Sequence, residues 1–158
     1  MPLDIARLAL IGARLISLGN ELVEMSDDAK PLDDDTIWLA RAIQGEGAAL
    51  FGDQRDEVGL WIAHTALNRV HHPWWPEFGV IKVIRSAFHG VENVRNPDPW
   101  AIELAKRALN REEDVTGGAL FMLSGDDLKR AGWSSDTAIR SFSYRDASFH
   151  FFRLWPGQ

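Results

Sequence analysis

Ile37-Trp38-Leu39-Ala40-Arg41-Ala42-Ile43-Gln44-Gly45-Glu46-Gly47 is the stretch on which the reading of this chain turns. Its apolar side chains recur at helical spacing as far as Ile43 and stop at a glutamate set between two glycines. The spacing predicts a helix over Thr36 to Gly45, capped by Asp34 or Asp35, whose charges also suit the positive end of the helix dipole. Gly45 and Gly47 frame a C-terminal cap that frees the backbone to turn. Glu46 is thus expected to be held by a rigid helix yet left unshielded by neighbouring side chains. Beside apolar Ile43, and at the helix end that disfavours negative charge, its carboxyl is expected to keep a proton longer than an ordinary glutamate. That is the requirement for a general acid. Taken alone, a solvated helix-end carboxylate is the commoner outcome.

Working outward, a loop from Ala48 to Arg55 leads to a strong helix from about Asp56 to Val70, with Val58, Ile62, Ala66 and Val70 on one face and Trp61 beside it. His71-His72-Pro73-Trp74-Trp75-Pro76 stops it. Val80 to Phe88 suits a short helix, and Asp98-Pro99-Trp100 opens another with proline in its first turn. After Asn110 the period changes. Gly118 to Leu123, Ser141 to Tyr144 and Ser148 to Leu154 read as short strands rich in aromatics. Helices first and a small antiparallel sheet near the C-terminus make the class α+β. Residues 1–32 read as an amphipathic helix from Leu3 to about Val23 followed by an acidic linker broken at Pro31, and residues 33–158 as the main domain.

With 158 residues, 46% of them hydrophobic, the chain can bury one core of ordinary size. Cysteine is absent, which excludes disulfides and thiolate metal sites. The net charge of -6 argues against a nucleic-acid partner or an anionic membrane surface. The N-terminal apolar run is interrupted by Asp4, Arg7 and Arg14, so it does not read as a signal peptide, and no run of about 18 apolar residues predicts a transmembrane segment. The seven tryptophans are core filler in the first instance, or flat platforms for sugar rings. His64, His71, His72, His89 and His150 show no His-Glu-x-x-His spacing, so neither a metal nor another cofactor is expected.

Four segments in register, Leu39-Ala40-Arg41-Ala42-Ile43-Gln44-Gly45-Glu46, Ala66-Leu67-Asn68-Arg69-Val70, Asp114-Val115-Thr116-Gly117-Gly118-Ala119-Leu120-Phe121 and His150-Phe151-Phe152, resemble the SleB-type cell-wall hydrolases, lysozyme-like enzymes known from spore-cortex degradation. The resemblance runs from about Asp34 to Arg153. Gln44 replaces the family's usual tyrosine, Val115 a proline and Arg153 a final tyrosine, and the second glutamate of the usual Gly-Glu-Ala-Arg-Gly-Glu run is missing. The resemblance implies a lysozyme-like fold and cleavage of the β-1,4 bond between MurNAc and GlcNAc in peptidoglycan, with Glu46 as catalytic acid and base, of the lytic transglycosylase or muramidase type.

A two-carboxylate hydrolase needs a second acid about 5 to 9.5 Å away. Asp53, Asp56 and Glu57 are the candidates nearby in sequence, although carboxylates there also suit the start of the next helix. Without such an acid, the 6-hydroxyl of the muramoyl sugar can attack its own anomeric carbon and leave a 1,6-anhydro end. Gln44, Asn68, Arg69, Trp74, Trp75, Tyr144 and His150, the last with Ser148, are the candidate substrate-binding residues. Arg69 equally suits a helix C-terminus, His150 a hydrogen-bonded core site, and Trp74-Trp75-Pro76 a fixed corner. Peptidoglycan strands are the expected partner, reached at the cell wall after synthesis in the cytoplasm and delivery by a phage-like or secretion-like route. The Leu3 to Val23 helix is a candidate dock to a larger assembly. In the competing reading the fold serves as a catalytically weakened binding or structural module of such an assembly.

Overall fold

Asp33 begins the first helix. Its extended backbone lets the carboxylate turn back and accept from the Thr36 N–H at 2.7 Å and the Thr36 hydroxyl at 3.0 Å. The cap therefore lies one residue before the expected Asp34 or Asp35, which occupy the first turn as dipole-favoured acids instead. The computed structural model describes residues 32–75, 79–110 and 113–154. The expected Leu3 to Val23 helix and its linker lie outside them.

Helix α1 (Asp34–Gly45) buries Leu39, Ala40, Ala42 and Ile43. A 3-10 segment (Ala48–Gln54) leads into α2 (Arg55–His71). The expectation that α2 is apolar along one face is corrected: every residue from Val58 to Ala66 is buried, whereas Val70 is only half-buried. Other elements surround this helix, so its polar residues are internally satisfied; the Thr65 hydroxyl donates to the Trp61 carbonyl at 2.8 Å. Gly59 permits the crowding, since a Cβ there would lie 2.6 Å from Leu104 and 3.1 Å from Ile43. Helix α3 (Val80–Ala87) buries Val80, Val83 and Ile84, and α4 (Pro99–Leu109) buries Ala101, Leu104, Ala105 and Ala108. A 3-10 turn (His89–Asn93) joins them.

Strands β1 (Phe121–Ser124), β2 (Arg140–Tyr144) and β3 (Ala147–Phe152) form an antiparallel sheet in the order β1-β3-β2, so the class is α+β. Alternation along β2 and β3 sends Phe142, Phe149 and Phe151 to one face, and the rings of Phe142 and Phe151 meet Trp61 of α2 at 5.9 and 5.1 Å. Phe121 and Phe152 face the other way and join Leu120, Leu128, Trp75 and Trp133 in a second cluster. Strand β1 starts three residues later than expected because Gly117 and Gly118 both hold positive φ and turn the chain first. Between β1 and β2 lies α5 (Gly125–Ala131), which the period-based reading passed over. Among the described residues no helix is long and apolar enough to cross a membrane.

Candidate active site

Glu46 caps α1, donating its backbone N–H to the Ala42 carbonyl at 2.9 Å, and Gly47 then turns the chain with φ 89°. Its side chain is not unshielded as expected. It is half-buried, and Oε1 accepts from the Gly90 N–H at 2.9 Å. Two features of α1 bring that donor into place. Gly45 and Gly90 touch backbone to backbone, so that a Cβ on Gly45 would stand 2.3 Å from the Gly90 carbonyl oxygen. One turn earlier, Arg41 donates from Nε to the Val94 carbonyl at 2.5 Å and from Nη2 to the Val91 carbonyl at 2.9 Å. Arg41 and Gly45 thereby clasp the His89–Asn93 turn, and the turn holds Glu46.

Burial raises the Glu46 pKa above the ordinary glutamate value, and nearby Asp127 adds to the rise. The Gly90 N–H, His89 and Arg69 pull the other way and are outweighed. Arg69 is itself buried, which lowers its pKa to about 10, so it remains a cation at neutral pH. It forms no ion pair with Glu46 among the described residues. Its Nε donates instead to the Leu120 carbonyl at 2.6 Å, and its guanidinium lies 5.2 to 5.7 Å from the ring centres of Phe88, Trp75 and Phe121.

Glu46 opens onto a cleft of about 990 Å³. Ala49, Leu50, Phe51 and Gly52 continue its wall; Ser124 with α5, Ser135 and the β2–β3 hairpin supply the rest. Tyr144, Ser148 and His150 line the cleft. His150 is both a hydrogen-bonded residue and a cleft residue: its Nδ1 lies 2.8 Å from the Ser141 hydroxyl, and burial lowers its pKa, so the ring is neutral at pH 7.

The other binding candidates lie outside the cleft lining. Gln44 accepts from the Asp98 N–H at 2.7 Å and donates to its carboxylate at 3.2 Å, fixing the start of α4. Asn68 lies 3.1 Å from each of Asp114 Oδ2, Thr116 Oγ1 and the Ala119 carbonyl. With Arg69 it holds the turn that leads into β1. Within that turn Asp114 accepts from the Thr116 N–H at 2.9 Å, the Thr116 hydroxyl at 2.6 Å and the Gly118 N–H at 2.8 Å. Burial pushes its pKa up, but these bonds outweigh burial and the net shift is down. Trp75 packs on Phe121 with ring centres 5.8 Å apart, and Trp74 is 52% exposed beside His72.

None of the three sequence-nearby carboxylates lines the cleft. Glu57 pairs with Arg140 at 2.9 Å, Asp56 with Arg55 at 2.8 Å, and Asp53 is exposed on the 3-10 segment. The cleft's own charged residues besides Glu46 are Asp126, Lys129, Arg145 and Asp146, none of which sequence reasoning singled out. A signal for the first two existed. Ser124-Gly125-Asp126-Asp127 is a capping sequence, and the Ser124 hydroxyl accepts from the Asp127 N–H at 3.2 Å while donating to its carboxylate at 2.6 Å. For the last two the signal was their place between consecutive strands, which makes Arg145-Asp146 a two-residue hairpin loop. Among the described residues no group of three or more His, Asp or Glu could hold a metal ion. Compared with protein-family models, curated proteins and solved structures, the chain matches none of them.

Proposed function

We propose that this chain is a lysozyme-like enzyme that cleaves the β-1,4 bond between MurNAc and GlcNAc in peptidoglycan strands, with Glu46 as acid and then base. One observation carries the reading: a carboxyl whose pKa is raised by burial is fixed by a backbone N–H at the wall of a cleft large enough for a sugar chain. In the first step the protonated Glu46 gives its proton to the glycosidic oxygen as the C1–O bond breaks, and the GlcNAc-side hydroxyl departs. In the second step the resulting carboxylate takes the proton from the attacking oxygen. When that oxygen is the 6-hydroxyl of the same muramoyl residue, the new C1–O6 bond leaves a 1,6-anhydro end. When it is water, the end is a reducing sugar.

Glu57 and Asp56 pair with Arg140 and Arg55 outside the cleft, so neither is the second acid; Asp126 and Asp146 are the carboxylates that share the lining with Glu46, and the chemistry of the product end separates the one- and two-carboxylate routes. Tyr144, Ser148 and His150 are suited to hold hydroxyl and N-acetyl groups on the wall formed by the hairpin. On this reading the enzyme works at the cell wall and reaches it by delivery.

The test is to incubate the wild-type chain with insoluble peptidoglycan and determine the mass of what dissolves. Soluble muropeptides whose muramoyl ends lack one water support the anhydro route, and reducing ends support hydrolysis. New free amino groups with intact glycan would mark a peptide-bond hydrolase and overturn the reading. Co-sedimentation without release would leave a binding module in its place.

A further inference from the structure

We propose that Arg145 is a specificity residue that binds a carboxylate carried by the polymer; the polymer's identity rests on the glycan-cleavage reading above. Arg145 occupies the first loop position between Tyr144 and Ala147, which pair across β2 and β3. Its φ is 52°, and it is the one non-glycine residue with positive φ among the described residues. Positive φ at the first loop position without it at the second is the pattern of a type II′ turn, a place where glycine is the favoured residue. An arginine there holds the backbone in a conformation disfavoured for any residue with a Cβ. Such residues cluster where a binding surface requires their side chain.

The side chain is placed for that use. It lines the cleft with Glu46, and its guanidinium carbon lies 5.3 Å from the ring centre of Tyr144, another cleft residue. The ring supports the guanidinium from one side without occupying its fork of donors. The other cation of the cleft, Lys129, has a carboxylate partner in Asp126 at 3.9 Å. Arg145 enters no ion pair among the described residues, and although Asp146 follows it in the turn, that carboxylate forms none with it. A planar fork with free donors matches a carboxylate in two-point contact. Strands built from GlcNAc alone carry no carboxylate. A muramoyl sugar carries one on its lactyl group when that group is free, and peptide-bearing strands carry others on the peptide.

The experiment measures binding of soluble probes to the full chain by calorimetry, alongside thermal melting. The probes are a GlcNAc oligomer, the peptide-free GlcNAc–MurNAc disaccharide and the same disaccharide with its peptide. Wild type is expected to bind at least one carboxylate-bearing probe roughly tenfold more tightly than the GlcNAc oligomer, about the worth of one charge-assisted hydrogen bond. Preference for the peptide-free disaccharide identifies the lactyl carboxylate, and preference for the peptide-bearing one identifies the peptide. Arg145→Gly is expected to lose the preference while its Tm rises by a few degrees, because glycine relaxes the turn. Arg145→Lys should keep only part of the preference, because an ammonium keeps the charge but not the two-point fork. A wild type that binds all three probes alike, or an Arg145→Gly variant that keeps the preference, overturns the proposal. Binding with the predicted preference but no cutting of insoluble peptidoglycan overturns the catalytic reading alone, and no binding to any probe overturns both.

Discussion

Replacing Gly45 by alanine should loosen the donor that fixes Glu46, and the size of the effect follows from the contact between α1 and the His89–Asn93 turn. The added Cβ would stand 2.3 Å from the Gly90 carbonyl oxygen, whereas real Cβ contacts essentially never fall below 3.0 Å, so the two backbones must part by about 0.7 Å. Helix α1 is anchored in the core, so the turn moves. A shift of that size applied to the 2.9 Å bond between the Gly90 N–H and Glu46 Oε1 takes it beyond hydrogen-bonding range. Overpacking of this kind costs about 1 to 3 kcal/mol. Loss of a bond to a charged acceptor adds about 1.5 to 3 kcal/mol when Glu46 is ionised. The better helix propensity of alanine returns roughly 1 kcal/mol. The net loss is about 1.5 to 5 kcal/mol, a fall in Tm on the order of 5 to 15 °C. Because the Gly90 N–H lowers the Glu46 pKa, its removal raises that pKa further, and the upper limb of the pH–activity profile should move to higher pH. Thermal melting and a pH series of muropeptide release read both effects. Gly79→Ala is the control, since a Cβ there meets nothing within 4 Å. A Gly45→Ala protein as stable as the control, with an unmoved upper limb, would refute the claim that this glycine contact positions the acid.

Other outcomes follow from the same residues. Since the folded-state pKa of Glu46 lies above its ordinary value, its ionised form opposes folding; stability is lost as pH rises through that pKa, and Glu46→Gln should melt higher than wild type at neutral pH while matching it in acid. Asn68→Ala should cost about 2 to 3 kcal/mol, because a carboxylate, a hydroxyl and a carbonyl of the turn before β1 lose a shared donor; denaturant melts check this. Asp114 has a depressed pKa, so its contribution is present at neutral pH and disappears as pH falls below its ordinary value of 3.8. Asp114→Asn should therefore melt lower than wild type at neutral pH and lose most of that difference in acid.

The helical half of the chain was legible because its cues are local. Pro99 at the first turn of α4, the His71-His72-Pro73 stop and the periodic apolar residues of α1 each mark an element within a few residues of where it lies. The one-face reading of α2 failed because a helix enclosed by its neighbours has no solvent side to leave polar, and the sequence between Val58 and Ala66 shows this only as scarcity of charge. Helix α5 was missed because seven residues with a single buried leucine have almost no periodicity, although the serine cap before them was visible. At the site, Glu46 was legible as a glutamate stranded between glycines. The roles of Asn68 and Arg69 were not, since their partners Asp114, Ala119 and Leu120 are some fifty positions away in the chain and only the fold brings them together. The opposite wall stayed hidden for a related reason: Arg145 reaches the cleft through the pairing of β2 with β3, and its meaning depends on a backbone angle that no composition reveals.

Whether the Glu46 carboxyl does the chemistry is decided by comparing wild type with Glu46→Gln on the same insoluble peptidoglycan, scoring bound protein and released muropeptides together. Glutamine keeps an oxygen able to accept from Gly90 and replaces the acidic hydroxyl by an amide nitrogen that cannot serve as acid or base at the glycosidic oxygen. If Glu46 delivers the proton, the variant stays folded, sediments with the polymer as wild type does, and releases nothing. Release at the wild-type rate by the folded Glu46→Gln protein would contradict that role.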